Sequence, residues 1–175
     1  MSIEMRIAAL EAPGAPTPLT RYKLMGGLPA KRRLYLTGAA MADLTNSSSA
    51  INLLSDRGRI DAALHRWVSG GRVFGNKKRG LFIDRLDPPP NEVWEIRITE
   101  PLVQVRGMVR FAAANTIIVT KFYTRPFLGD YGSHNWGTAM SDCVAQWGIL
   151  FPDHTPHIRA TIGEYVTENV DDFPI

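Results

Sequence analysis

The sequence predicts an α+β fold, an antiparallel meander sheet with an amphipathic helix before it and a terminal helix after it. Between Glu92 and Arg125, the runs Val93 to Thr99, Val103 to Phe111 and Ile117 to Thr124 are rich in Val, Ile, Phe, Tyr and Trp. These residues suit a pleated, half-buried surface. The breaks between the runs, Glu100-Pro101 and Ala112 to Asn115, are of turn length, as in a meander. The helices follow from a different period: Ile51, Leu54, Ile60, Leu64, Trp67 and Val68 before the sheet, and Met140, Cys143, Val144 and Trp147 after it, recur three and four residues apart.

Taken in order, residues 1–20 include APGAPTP, whose prolines fix the backbone without supplying apolar mass, so an irregular N-terminal arm is expected. Leu24 to Leu44 reads either as a helix interrupted near Gly38 or as a strand, Arg33 to Thr37, followed by a helical turn. Ser47, Ser48 and Ser49 offer an N-cap to the amphipathic helix, and Gly70-Gly71 stops it. Gly58 inside it costs up to about 1 kcal/mol relative to alanine and is where it would divide. Val73 to Gly80, VFGNKKRG, is a basic turn, and Leu81 to Arg85 a short strand. Pro88, Pro89 and Pro90 then force an extended connection, because proline neither continues a helix nor donates to a ladder. After Arg125, PFLGDYGSHN is a loop and the terminal helix follows with Asn135 as its cap. Ile158 to Val166 is a strand or a short helix. The expected organisation is one α+β domain over 21–160, preceded by the arm and followed by an acidic tail over 161–175.

A chain of 175 residues is of ordinary size for one domain, which buries about two thirds of its unfolded surface. The single cysteine, Cys143, cannot close an intrachain disulfide, which fits a reducing compartment. No stretch reads as a signal peptide or as about 20 consecutive apolar residues. A cytoplasmic protein without a membrane partner is expected. The formal charge of +3 is unevenly placed: Arg57 to Asp87 holds eight Arg or Lys against three Asp, whereas after Arg159 there are only Glu164, Glu168, Asp171 and Asp172. A basic middle and an acidic end suggest an anionic partner and an internal competitor for it.

Successive strand residues point to opposite sides. Trp94, Ile96 and Ile98 therefore share one face with Val105, Val109 and Phe111 on the next strand, while Glu95, Arg97, Arg106, Met108 and Arg110 line the other. The third strand is apolar on both sides, with Ile117 and Val119 against Ile118 and Phe122, as a central strand would be. Lys121, Tyr123 and Arg125 share a parity at its end. Arg97 and Arg110, with Lys77, Lys78 and Arg79 of the basic turn, are the candidate nucleic-acid contacts. His154 and His157 lack supporting ligands and are separated by Thr155 and Pro156, so no metal and no cofactor are expected.

The order helix, basic turn, three-stranded meander resembles the RelE/HigB/ParE superfamily of small toxins, phage-derived branch included. The residues that carry the resemblance are Trp94-Glu95-Ile96-Arg97-Ile98, then Arg106-Gly107-Met108-Val109-Arg110-Phe111, then Lys121-Phe122-Tyr123-Thr124-Arg125, within roughly residues 51–125. The resemblance implies a toxin–antitoxin protein that binds RNA or the ribosome, a possible antitoxin partner, and metal-independent messenger RNA cleavage by a ribose 2′-hydroxyl. That chemistry needs a base, an acid and cations for the phosphate. Arg106 matches the family's strand arginine and would clamp the phosphate, since arginine does not deprotonate. Arg110 and Arg125 would support it, with Lys121 and Tyr123 as base or acid. The alternatives are a non-enzymatic interaction module of the ParE-like kind and a small enzyme using the space between terminal helix and sheet.

Overall fold

A computed structural model describes residues 1–55, 57–73, 82–86, 91–99, 103–171 and 175. Its centre is a six-stranded sheet in the order β1-β2-β6-β5-β4-β3. The strands are β1 (Leu19–Arg21), β2 (Arg33–Thr37), β3 (Ile83–Arg85), β4 (Trp94–Ile98), β5 (Val105–Ala113) and β6 (Thr116–Thr124). The meander is present as β4-β5-β6, antiparallel throughout. It is part of a mixed sheet, however, because β2 lies parallel to β6, with Tyr35 opposite Ile118. That pairing resolves the ambiguity before Leu44: residues 33–37 form a strand, and α2 (Gly38–Thr45) follows directly, with the Thr37 side chain capping Ala40 N–H at 3.2 Å.

Helices cover both faces. On the apolar face α2, α3 (Ala50–Leu54), α4 (Arg57–Val68) and α7 (Ile162–Tyr165) pack against Trp94, Ile96, Val109, Phe111, Ile117 and Val119. α4 contributes Ile60, Leu64, Trp67 and Val68, all fully buried. The helical run before the sheet does divide, but at Ser55, where α3 ends; Gly58 sits within the first turn of α4. On the other face lie α1 (Ile3–Glu11) and α6 (His134–Leu150), the latter burying Trp136, Ala139, Cys143, Trp147 and Leu150. A short helix α5 (Arg125–Leu128) occupies part of the expected loop.

Both chain ends correct the sequence expectation. Residues 3–11 are helical, and Ile7 and Leu10 pack with Tyr35, Ile118 and Trp147, so the arm is part of the core. The acidic tail is not a separate appendage either. Ile162, Tyr165 and Val166 are buried in the main core, and Val73 pairs with Val170 in a parallel bridge.

The third strand holds one surprise for simple alternation. The β5–β6 register shifts between Met108 and Val109, so that Met108 faces Lys121 while Val109 faces Val119. One extra residue in β6 is a bulge, which inverts the parity after it. Phe122 therefore joins Ile117 and Val119 on the apolar face, whereas alternation assigned it to the side of Ile118. Gly107 makes room there, since a Cβ at that position would lie 3.0 Å from the Phe122 ring.

Candidate functional site

The arginines of the meander are the first place to look for anion chemistry. They lie on the sheet face that α6 covers. Arg106 is 6% exposed and Arg110 5%. Arg106 Nε stands 3.0 Å from Glu95 Oε2, an ion pair without the alignment of a hydrogen bond, and its remaining nitrogens donate to Val105 O and Gln104 Oε1. Arg97 bridges Glu95 Oε1 at 2.6 Å and Asp84 Oδ2 at 2.8 Å. Two arginines and two carboxylates thus form a charge ladder across β3, β4 and β5. Burial pushes the Glu95 carboxyl up, and the Arg97 and Arg106 guanidiniums pull it back down. Arg110 donates to Asn91 O at 2.5 Å and to Glu92 O, and its guanidinium lies 5.3 Å from the Trp147 ring centre.

An open arginine-studded face is therefore not what the chain builds. A sheet face carrying Met108, Ile118 and Tyr123 beside its arginines is apolar enough to be covered, and the guanidiniums are tolerated beneath α6 because each is paired or bonded to a carbonyl. Arg97 and Arg110, expected as nucleic-acid contacts, serve as internal ties. Lys77, Lys78 and Arg79 lie outside the described residues.

The four expected catalytic residues are neighbours without forming one open concavity. Arg106 is opposite Tyr123 in register, and the Lys121 ammonium stands 5.2 Å from the Tyr123 ring centre. Arg125 instead donates to Gly129 O and stacks over Trp136 at 5.7 Å. Lys121 and Tyr123, with Asp142 and Cys143, line a cleft of about 300 Å³ between β6 and α6. There the Tyr123 hydroxyl donates to Asp142 Oδ2 at 3.4 Å. Burial raises the phenol's pKa, and Asp142 raises it further. A phenol so placed holds its proton and is unsuited to act as a base at neutral pH. Burial likewise pushes the Cys143 thiol up to about 11, which marks a packing residue and not a nucleophile.

The histidines of the 154–157 segment are engaged through Nε2, His154 with Met1 O at 2.9 Å and His157 with Glu164 O at 3.1 Å. Among the described residues, no group of three or more His, Cys, Asp or Glu could hold a metal. Among them too, no helix is long and apolar enough to cross a membrane.

The cations that do meet at a surface were missed as a site. Arg59, Arg66 and Arg97 line a cleft of about 330 Å³ between α4 and the end of β4, beside Phe82; among the described residues no carboxylate lines it, although Arg97 is itself paired with Glu95 and Asp84. Arg59 and Arg66 are seven apart, with Ala62 and Ala63 between them. That spacing puts all four on one helix stripe, the small alanines leaving a groove between two long cationic arms. The Arg66 guanidinium is held 5.1 Å above the Phe82 ring centre and donates twice to Arg72 O, at 3.0 and 2.6 Å. This arginine stripe was present in the sequence. Apolar periodicity does not reveal it, because the stripe lies off the helix's buried face.

No family model matches the chain, and no match was found among curated proteins or solved structures.

Proposed function

We propose that this chain is a non-enzymatic, toxin-like module that binds single-stranded RNA by seating phosphates in the cleft between α4 and β4. The observation that carries the reading is the convergence of Arg59 and Arg66 on one cleft, with Arg97, tied to Glu95 and Asp84, at its edge; among the described residues no carboxylate lines it. The excess of basic residues from Arg57 to Asp87 supports it, because a clustered positive field gathers polyanions. A phosphate contact also needs no movement of the core: Arg66 is already fixed by Phe82 and the Arg72 carbonyl.

The ribonuclease reading draws support only from Lys121, Tyr123 and Asp142 around their smaller cleft. Its phosphate clamp would have to be Arg106, which is buried against Glu95. Binding without cleavage is the simpler use of this geometry.

Fluorescence anisotropy with a labelled oligouridylate tests the proposal. For a single strand, log affinity should fall with log salt by about 0.7 for each phosphate contact, so Arg59→Ala and Arg66→Ala should each weaken binding and flatten that slope by about 0.7. The labelled RNA should remain full length during the measurement. Affinity unchanged in both variants would remove the cleft, and shortening of the RNA by wild type but not by Lys121→Ala would restore the enzyme.

A further inference from the structure

Residues 167–171 form a strap that is fastened along its length. Asn115 Nδ2 donates to Thr167 Oγ1 at 2.6 Å, Arg32 donates to Glu168 O, and Asn169 Nδ2 donates to Gly70 O at 2.9 Å. The backbone then pairs: Val73 N–H donates to Asn169 O at 2.8 Å, and Asp171 N–H to Val73 O at 3.1 Å. At its end, Asp171 Oδ1 accepts from Arg72 Nε at 2.8 Å and from Arg72 Nη2 at 2.5 Å.

This arrangement places a carboxylate against the guanidinium of Arg72, the residue whose carbonyl is held by Arg66 of the cleft. The acidic end does not shield the arginine face of the sheet, which α6 covers. It meets the chain at Arg72 and Val73.

We propose that Asp171 is an internal competitor for the RNA site: the strap withholds Arg72 from the α4–β4 cleft, and RNA gains that cation when the carboxylate is removed. The inference rests on the RNA-binding reading above. The Arg72 side chain is 57% exposed and the Asp171 side chain 18%. Release of the exposed Arg72 arm leaves the core in place, because neither Arg72 nor Asp171 is among the buried residues. The strap's backbone pairing and Val170 can stay in place while the Arg72 side chain changes partner.

The experiment is a two-residue cycle read with the same labelled oligouridylate at 50 mM salt. Asp171→Asn should tighten binding about fivefold and steepen the log–log salt slope by about 0.7, as one further phosphate contact requires. Arg72→Gln should leave the affinity of the otherwise unchanged chain as it is, and should abolish the gain when combined with Asp171→Asn. No gain from Asp171→Asn, while Arg59→Ala still weakens binding, would overturn the strap and leave the cleft standing. Should Asp171→Asn disturb folding, Arg72→Gln alone decides: a clear loss of affinity would mean that Arg72 already contacts RNA and is not withheld. Insensitivity to Arg59→Ala and Arg66→Ala would remove both proposals together.

Discussion

Arg106 has Glu95 on one neighbouring strand and Tyr123 on the other, with its side chain almost wholly enclosed. Breaking a buried pair outright costs about 3–5 kcal/mol; here Arg97 still holds Glu95 Oε1, so the loss of Arg106 should cost less than that range. Arg106→Ala should therefore lower the unfolding free energy measured in urea whether or not RNA is present. A phosphate clamp would behave in the opposite way, keeping stability and losing function. The double variant Glu95→Leu with Arg106→Met should recover much of the loss, as apolar replacement of buried pairs often does; equal instability in single and double variants would contradict the pairing. The alternation of Glu95, Arg97 and Arg106 was legible in the sequence. Their enclosure was not, because a strand pattern gives the side on which a residue stands and not what lies above it.

At the scale of elements, caps and packing decide what periodicity leaves open. Helix α6 starts from Ser133, whose Oγ accepts from Trp136 N–H at 3.5 Å and donates to Leu128 O at 2.5 Å. Asn135, expected as the cap, instead donates to Phe127 O. Ser133→Ala should cost about 1 kcal/mol in chemical denaturation, the usual loss for an N-cap, and Asn135→Ala should cost less because its bond is exposed. The bulge in β6 has a sharper signature. Gly107→Val would force a branched side chain against the Phe122 ring, and overpacking of this kind costs about 1–3 kcal/mol. A Gly107→Val midpoint equal to wild type would show that Phe122 lies elsewhere. The helices and meander strands were legible because their periods are local. The bulge was hidden because Thr120 and Phe122 are ordinary strand residues, and only the partner strand's register reveals the insertion.

For the molecule as a whole, the sequence conveyed an α+β class and an uneven charge but not the joining of distant segments. The parallel pairing of β2 with β6 spans about eighty residues and leaves no local mark, since any apolar run such as Leu34-Tyr35-Leu36 could pair in several ways. The proline-rich start masked α1, whose Ile7 and Leu10 are too few to declare a buried stripe by themselves. Arg59 and Arg66 were legible in principle, as the polar stripe of a helix, and were obscured by the more conspicuous arginines of the sheet.

Tyr165 packs tilted against Trp94 at 4.8 Å and edge-on against Phe111 at 4.9 Å, ring centre to ring centre, and donates to Glu92 at 2.8 Å. The meander therefore receives one of its large aromatic fillings from a segment made some forty residues after β6. During synthesis the sheet must wait, with Trp94 and Phe111 uncovered, until that late segment leaves the ribosome. Long-range closure of this kind slows folding, so nascent chains stalled before residue 162 should be the ones that engage chaperones.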